Sequence, residues 1–256
     1  MFIDTHTHIY LPQFNHDSGS MMFRAKQAGV EKMLLPNIDR STVKDMLLCA
    51  GVYPGRLHCM IGLHPGSVKK NYINELNYLE TFLDSGSFVA VGEIGIDLYW
   101  DDTYKSQQID AFRTQCEWAV KKNIPVSIHS RAATDEVIRQ LMSMQDIPTG
   151  IFHCFEGNKS QAKEVIDLGF KIGVGGNVTF KNSHLPNVLK HFEPSNLVLE
   201  TDAPYLAPHP FRGKRNEPAF IRYTAQKLAE IYSVPVAYIA DATQKNAIDC
   251  FKLGVG

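Results

Sequence analysis

The sequence predicts an α/β protein folded as one (β/α)8 barrel, with two further helices after the eighth strand. Three observations carry this prediction. Short apolar runs alternate with amphipathic stretches along the whole chain. The runs are continuous rather than apolar at every second position, which marks parallel strands buried on both faces. The stretch after the first run reads Asp4-Thr5-His6-Thr7-His8, where an open doubly wound sheet would carry a glycine-rich phosphate loop. Right-handed crossovers over eight such units close a ring, the TIM-type architecture.

The eight runs are Phe2 to His6, Lys32 to Pro36, His58 to Gly62, Phe88 to Glu93, Pro125 to His129, Gly150 to His153, Lys171 to Gly175 and Leu197 to Thr201. Helical patterns lie between them at Ser18 to Ala28, Arg40 to Val52, Tyr72 to Leu83, Tyr104 to Lys122, Ala133 to Met144, Ser160 to Leu168 and His184 to His191. Gly29, Gly86 and Gly169 stand where helices commonly stop. Two more helical patterns, Pro218 to Tyr232 and Val236 to Lys252, follow the eighth run. No low-complexity segment or linker divides the chain, so residues 1–256 are read as one domain.

Bulk chemistry narrows the class. The formal net charge is -1, so a nucleic-acid partner would meet a local patch and not a basic field. Five cysteines (Cys49, Cys59, Cys116, Cys154, Cys250), none in a CxxC pair, argue against both a disulfide framework and a thiolate zinc knuckle. The N-terminus lacks a basic segment followed by an apolar one, and no run of membrane-spanning length occurs. The expectation is a cytoplasmic protein with no membrane contact; no protein partner can be inferred.

The chemistry gathers at the strand ends. His6 and His8 close the first run, Glu93 the fourth, His129 the fifth and His153 the sixth, while Asp202 follows the eighth. In a barrel these positions converge on one face, where TIM-barrel active sites form. A lone histidine at a strand end is more often an ordinary hydrogen-bonded residue. Six metal-competent side chains on one face would be costly to bury without a cation. Residues i and i+2 of a strand share a face, so both members of His6-Thr7-His8 can point into the mouth. The set exceeds the ligands of one zinc and suits two divalent ions. His6, His8 and Asp202 would hold one, His129 and His153 the other, with Glu93 between them. Such a pair lowers the pKa of a shared water, and Asp202 could take its proton as general base. Imidazole and carboxylate donors favour zinc or manganese over magnesium, which remains possible for activity.

Around this centre the loops carry Lys69, Lys70, Lys105, Arg131, Lys181, Arg212, Lys214 and Arg215. Arginine and lysine beside a dimetal site suit a phosphodiester; solvated loop charge is the plainer reading for Lys69, Lys70 and Lys105. Asp97, Asp101 and Asp102 would repel a long polyanion, which favours trimming of ends, although Asp97 could bind a cation or orient a ligand. Tyr99, Trp100, Phe155, Phe180, Tyr205 and Phe211 could stack on unpaired bases or simply pack the rim. Asn37, ending the second run, either orients substrate or caps the next segment. Strand alternation points Cys154 away from the site.

The motifs FIDTHTH, GLHPG, VAVGEIGID, IHSR, FHCFEG, KIGVGGNVTFKN, LETDAPYL and RGKRNEP occur in this order from Phe2 to the C-terminal helices. Together they resemble the TatD family of metal-dependent deoxyribonucleases. The resemblance implies an amidohydrolase-like barrel, a divalent-metal centre and 3′ to 5′ exonucleolytic cleavage of DNA at single-stranded or frayed ends. Its metal ligands fall on His6, His8, Glu93, His129, His153 and Asp202; of these, the site chemistry makes Asp202 and Glu93 the expected catalytic pair. It also implies that His64 and Arg131 face the substrate. The family often begins DxHCHLD; here Thr7 and Tyr10 replace the cysteine and the final aspartate. Relatives bridged by a carboxylated lysine carry Lys where this chain has Glu93. Two other readings compete with a deoxyribonuclease. One is the same chemistry on another ester or amide, such as an aminoacyl ester on tRNA. The other is a metal-binding module that no longer catalyses.

Overall fold

A computed structural model describes residues 1–99 and 101–254. Trp100 lies outside the described residues. Eight parallel strands form one sheet in sequential order: β1 (Phe2–Asp4), β2 (Val30–Pro36), β3 (Leu57–Ile61), β4 (Ala90–Asp97), β5 (Val126–Arg131), β6 (Gly150–Phe152), β7 (Lys171–Val174) and β8 (Leu197–Leu199). Seven helices connect them: α1 (Ser18–Gln27), α2 (Val43–Val52), α3 (Tyr72–Ser85), α4 (Lys105–Lys122), α5 (Thr134–Met142), α6 (Lys159–Asp167) and α7 (Leu185–Leu189). Two more, α8 (Ile221–Tyr232) and α9 (Val236–Phe251), follow β8.

The ends of the strand series meet and shut the ring. The Thr5 N–H donates to the Leu199 carbonyl at 3.0 Å, and the Asp202 N–H donates to that of His6 at 2.9 Å. The Asp4 carboxylate reinforces this seam, accepting from the Thr201 N–H at 2.9 Å and lying 2.6 Å from its hydroxyl. Asp4 is fully buried, and burial pushes its carboxyl up to about 8 despite these bonds.

The two C-terminal helices do different work. α8 packs beside α7 and β8 as the eighth helix of the ring. α9 crosses the opposite end of the barrel from the strand C-termini. Its Ala247 and Phe251 pack on Ile3, Leu34, Met60, Ala90, Ile151 and Val198, which point inward from six strands. The apolar plug keeps water out of the barrel floor, and truncating Phe251 to Ala would cost about 3–5 kcal/mol.

Helix ends follow local chemistry. Gly29 and Gly169 stop α1 and α6 at φ of 81° and 88°, the left-handed region that glycine enters freely. Gly86 departs from that expectation. It leaves α3 in extended backbone, and its missing Cβ makes room for the Phe88 ring, which a methyl would approach to 2.7 Å.

Strand four also departs from expectation. It continues past Glu93 to Asp97, because one extra residue is inserted: Gly92 pairs with Ser127 and Ile94 with Ile128, so Glu93 has no partner on β5. A bulge of this kind re-aims a side chain. Here it turns Glu93 into the barrel mouth.

Candidate metal centre

Of the six side chains expected at the strand ends, five gather around the sixth, Glu93. Its oxygens face different partners. Oε2 lies 3.2 Å from His6 Nε2 and 3.6 Å from His8 Nε2. Oε1 lies 2.9 Å from His129 Nδ1 and 3.1 Å from His153 Nε2. Asp202 Oδ1 stands 3.5 Å from His8 Nε2 and 3.9 Å from His6 Nε2. His6 and His153 stack with ring centroids 3.6 Å apart and so join the two groups.

Backbone geometry sets these positions. The Glu93 N–H donates to the Asn37 carbonyl at 3.1 Å, while Asn37 donates its side-chain amide to the Gly62 carbonyl at 2.7 Å. Asn37 therefore ties β2 to the ends of β3 and β4 from a fully buried position. This role is neither of the two open to it in the sequence: its side chain bridges Gly62 and Thr42. Asp202 adopts φ of 55°, a conformation that Asp tolerates better than most residues.

The second ring nitrogen of each histidine is also engaged. His6 Nδ1 meets Ser127 Oγ at 3.1 Å, and His8 Nδ1 meets the Tyr10 hydroxyl at 3.1 Å. His129 Nε2 meets Asp97 Oδ2 at 3.0 Å, and His153 Nδ1 meets Glu200 Oε1 at 3.2 Å. Each imidazole is thus held from behind while its other nitrogen faces the centre. Four nitrogens converging on two carboxylates are a donor set that fits divalent cations. His6, His153 and Asp202 bring ligand atoms within 4.8 Å of one another, as do His6, His8 and Glu93.

The electrostatics are those of charges forced together. Burial works to raise the Glu93 carboxyl, but His64, His153 and His6 together hold it well below the usual carboxylate range. Burial opposes ionisation of Asp202 too, and is outweighed by the His8 hydrogen bond and the charges of His153 and His6. Burial lowers His6, assisted by His153. Burial also works to lower His153, yet Glu93 and Glu200 carry it well above its ordinary value.

His64 and Arg131 stand on the wall of the cavity above these residues. The cavity measures about 570 Å³ and is also lined by His8, Cys154, Glu156 and Tyr205. His64 Nε2 lies 3.4 Å from Glu93 Oε1 and groups with Glu93 and His129 by distance. Its Nδ1 accepts from the Gly66 N–H at 2.9 Å, so a singly protonated ring carries its proton on Nε2. In that form His64 presents an Nε2 donor towards Glu93. The Arg131 guanidinium lies over the Tyr99 ring at 4.0 Å from its centroid.

One other expectation is corrected, and several open ones are decided. Cys154 lines the cavity instead of turning away, because φ of 43° ends strand alternation at that residue. Burial, with Glu200 and Asp202, pushes its thiol well up, which keeps it protonated. Lys105 pairs with Glu136 at 3.1 Å, and Arg215 pairs with Asp17 at 2.6 Å, so neither is an uncommitted phosphate contact. Phe155 belongs to the core, and Phe211 stacks on Phe220 at 4.1 Å. Glu200 escaped the sequence reading. Its signal was a carboxylate directly after the apolar run Leu197 to Leu199, where burial is unavoidable.

Residues 3–252 match the family described as TatD related DNase. The chain is 35% identical over 255 residues to the uncharacterized metal-dependent hydrolase YabD of Bacillus subtilis, covering 99% of this chain and 100% of that one. It is 31% identical over 248 residues to the 3′-5′ ssDNA/RNA exonuclease TatD of Edwardsiella piscicida, covering 94% and 95% of the two. The crystal structure of YjjV, a TatD homologue from Escherichia coli K12, superposes with a TM-score of 0.93 at 34% identity, covering 99% of this chain and 98% of that chain. With this agreement along its length, and with a histidine–carboxylate centre at the mouth of its barrel, the chain belongs to the TatD-related DNase family of metal-dependent hydrolases.

Proposed function

We propose that this hydrolase cleaves phosphodiester bonds at the 3′ ends of single-stranded or frayed DNA. Two divalent ions would be held by His6, His8 and Asp202 on one side and by His129 and His153 on the other, bridged by Glu93. The observation that carries the reading is the division of Glu93 at the floor of a walled cavity: Oε2 faces His6 and His8, while Oε1 faces His129 and His153, with His64 beside them.

Bound divalent ions supply a water of lowered pKa and positive charge for the phosphoryl oxygens. The residues of the chain do the rest. Asp202, held ionised, takes a proton from the attacking water. Arg131 offers its planar fork to the phosphate, and His64 offers its Nε2 proton from the cavity wall. Tyr205, 48% exposed on the rim, offers a face to the terminal base. Asp97 and Glu156 also line the cavity and disfavour continuous passage of a polyanion, which supports attack at ends. The relatives named as ssDNA/RNA exonucleases support a nucleic-acid substrate and make RNA the natural second substrate to assay.

The test is release of mononucleotides from labelled single-stranded DNA with Mn²⁺ or Mg²⁺, by wild type and Asp202→Asn. Turnover by wild type alone supports the reading. Absence of nucleotide release, with hydrolysis of an aminoacyl ester or another ester instead, overturns it.

A further inference from the structure

We infer that the two halves of this metal centre are tuned separately, by hydroxyls behind one pair of histidines and carboxylates behind the other, with Tyr10 the positioning residue of the hydroxyl half. The inference rests on the proposed ligand set, and goes beyond it by making the two halves chemically unequal.

The partners of the four imidazoles sort cleanly. Behind His6 stands Ser127, and behind His8 stands Tyr10. Behind His129 stands Asp97, and behind His153 stands Glu200. The first two partners are neutral and the last two are acids.

Tyr10 is the most constrained of the four. Its hydroxyl donates to the Pro36 carbonyl at 2.6 Å, so its one proton is committed. Towards His8 it can only accept, which keeps a proton on Nδ1, so that Nε2, which bonds Asp202 through its own proton here, is the nitrogen left to give up that proton and hold an ion. The ring is 7% exposed, so water does not substitute for this contact. Tyr10 thereby fixes the tautomer and orientation of His8 without adding negative charge.

Glu200 does the opposite for His153. Its Oε1 accepts from His153 Nδ1 and from the Cys154 N–H at 2.5 Å, while its Oε2 is buried without a protein partner. Space for it exists because residue 173 is glycine: a Cβ there would come within 2.5 Å of Oε2. A carboxylate behind an imidazole raises ligand basicity, and a hydroxyl does so less. Two divalent ions therefore bind in two distinguishable steps, one governed by Tyr10 and Ser127, the other by Glu200 and Asp97.

The test is calorimetric titration of the metal-stripped full chain with Mn²⁺, beside a thermal melt of each metal-free variant. The expected wild-type result is two steps of unequal affinity. Tyr10→Phe keeps the ring and removes the acceptor, and should weaken one step about tenfold, the lower end of effects of such partners. Ser127→Ala should weaken that same step, and serves where Tyr10→Phe fails to fold. Glu200→Gln should weaken the other step. One class of equivalent sites, or Tyr10→Phe and Glu200→Gln acting on the same step, overturns the inference while leaving the metal centre intact. No Mn²⁺ binding by wild type overturns the ligand set as well.

Discussion

Gly95 lies so close to His129 that a Cβ at position 95 would stand 1.9 Å from the His129 carbonyl oxygen. Its φ of 143° is also one that side chains rarely adopt. The glycines of GEIGID are therefore clearance for the neighbouring strand. Gly95→Ala should destabilise the protein by about 3 kcal/mol or more, since backbone must move to relieve the clash. Urea denaturation measures it. Gly51→Ala, on α2 with nothing near its Cβ position, is the control and should gain up to about 1 kcal/mol.

Asn37 accepts the Glu93 N–H on its backbone carbonyl and is itself braced by donating its buried side-chain amide to the Gly62 carbonyl. Asn37→Asp is nearly isosteric, yet it sets a carboxylate oxygen against the Gly62 carbonyl in place of a 2.7 Å hydrogen bond. A loss of about 2–3 kcal/mol is expected, with a fall in bound metal per chain measured by elemental analysis. Metal content equal to wild type would show that Glu93 is held without it.

Asp17 ties α1 to the segment before α8. Its carboxylate accepts from Arg215 and Arg24, and Arg24 also grips Glu217. Hydrogen bonds from Arg215 and then Arg24 hold Asp17 far below its ordinary value of 3.8. A depressed carboxyl adds stability that is fully present above the unfolded-state value and is lost as pH falls towards the folded-state one. Between pH 5 and about 3 the melting temperature of wild type should fall more steeply than that of Asp17→Asn. Parallel slopes would refute the assignment.

Arg131→Lys keeps a positive charge on the cavity wall and loses the planar fork. If the fork holds a phosphate, kcat/KM on single-stranded DNA should fall roughly tenfold, mostly through KM. Chelation with EDTA should abolish turnover, and Mn²⁺ should restore it.

The sequence made the ring and the four histidines legible for a physical reason. Strands buried on both faces are uninterrupted apolar runs, so a His or Asp at their ends stands out. The insertion at Glu93 left no such trace, because one extra residue inside Ala90–Asp97 does not disturb an apolar pattern. The role of Tyr10 was equally hidden, whereas Asp97, open in the sequence to orienting a ligand, stands behind His129. Tyr10 acts through the Pro36 carbonyl at the end of β2, and spacing along the chain does not encode that contact. Arg215 reads as a phosphate contact from charge alone, and only the fold brings Asp17 to it.

The seam between β1 and β8 has a consequence for how the protein comes into being. Thr5 and Leu199, which meet there, are separated by 194 positions, and Asp4 and Thr201 by 197. Loop-closure entropy opposes contacts of such separation more than any between neighbouring strands. His6 and His8 lie at one edge of this seam and Asp202 at the other. Ring closure and assembly of that half of the centre are therefore a single event. A nascent chain that has left the ribosome only as far as β7 has six of its seven strand pairings and no place for the ion that Asp202 would share. The proposed ligand set can therefore be complete only once β8 has joined β1, with α8 and α9 still to be added.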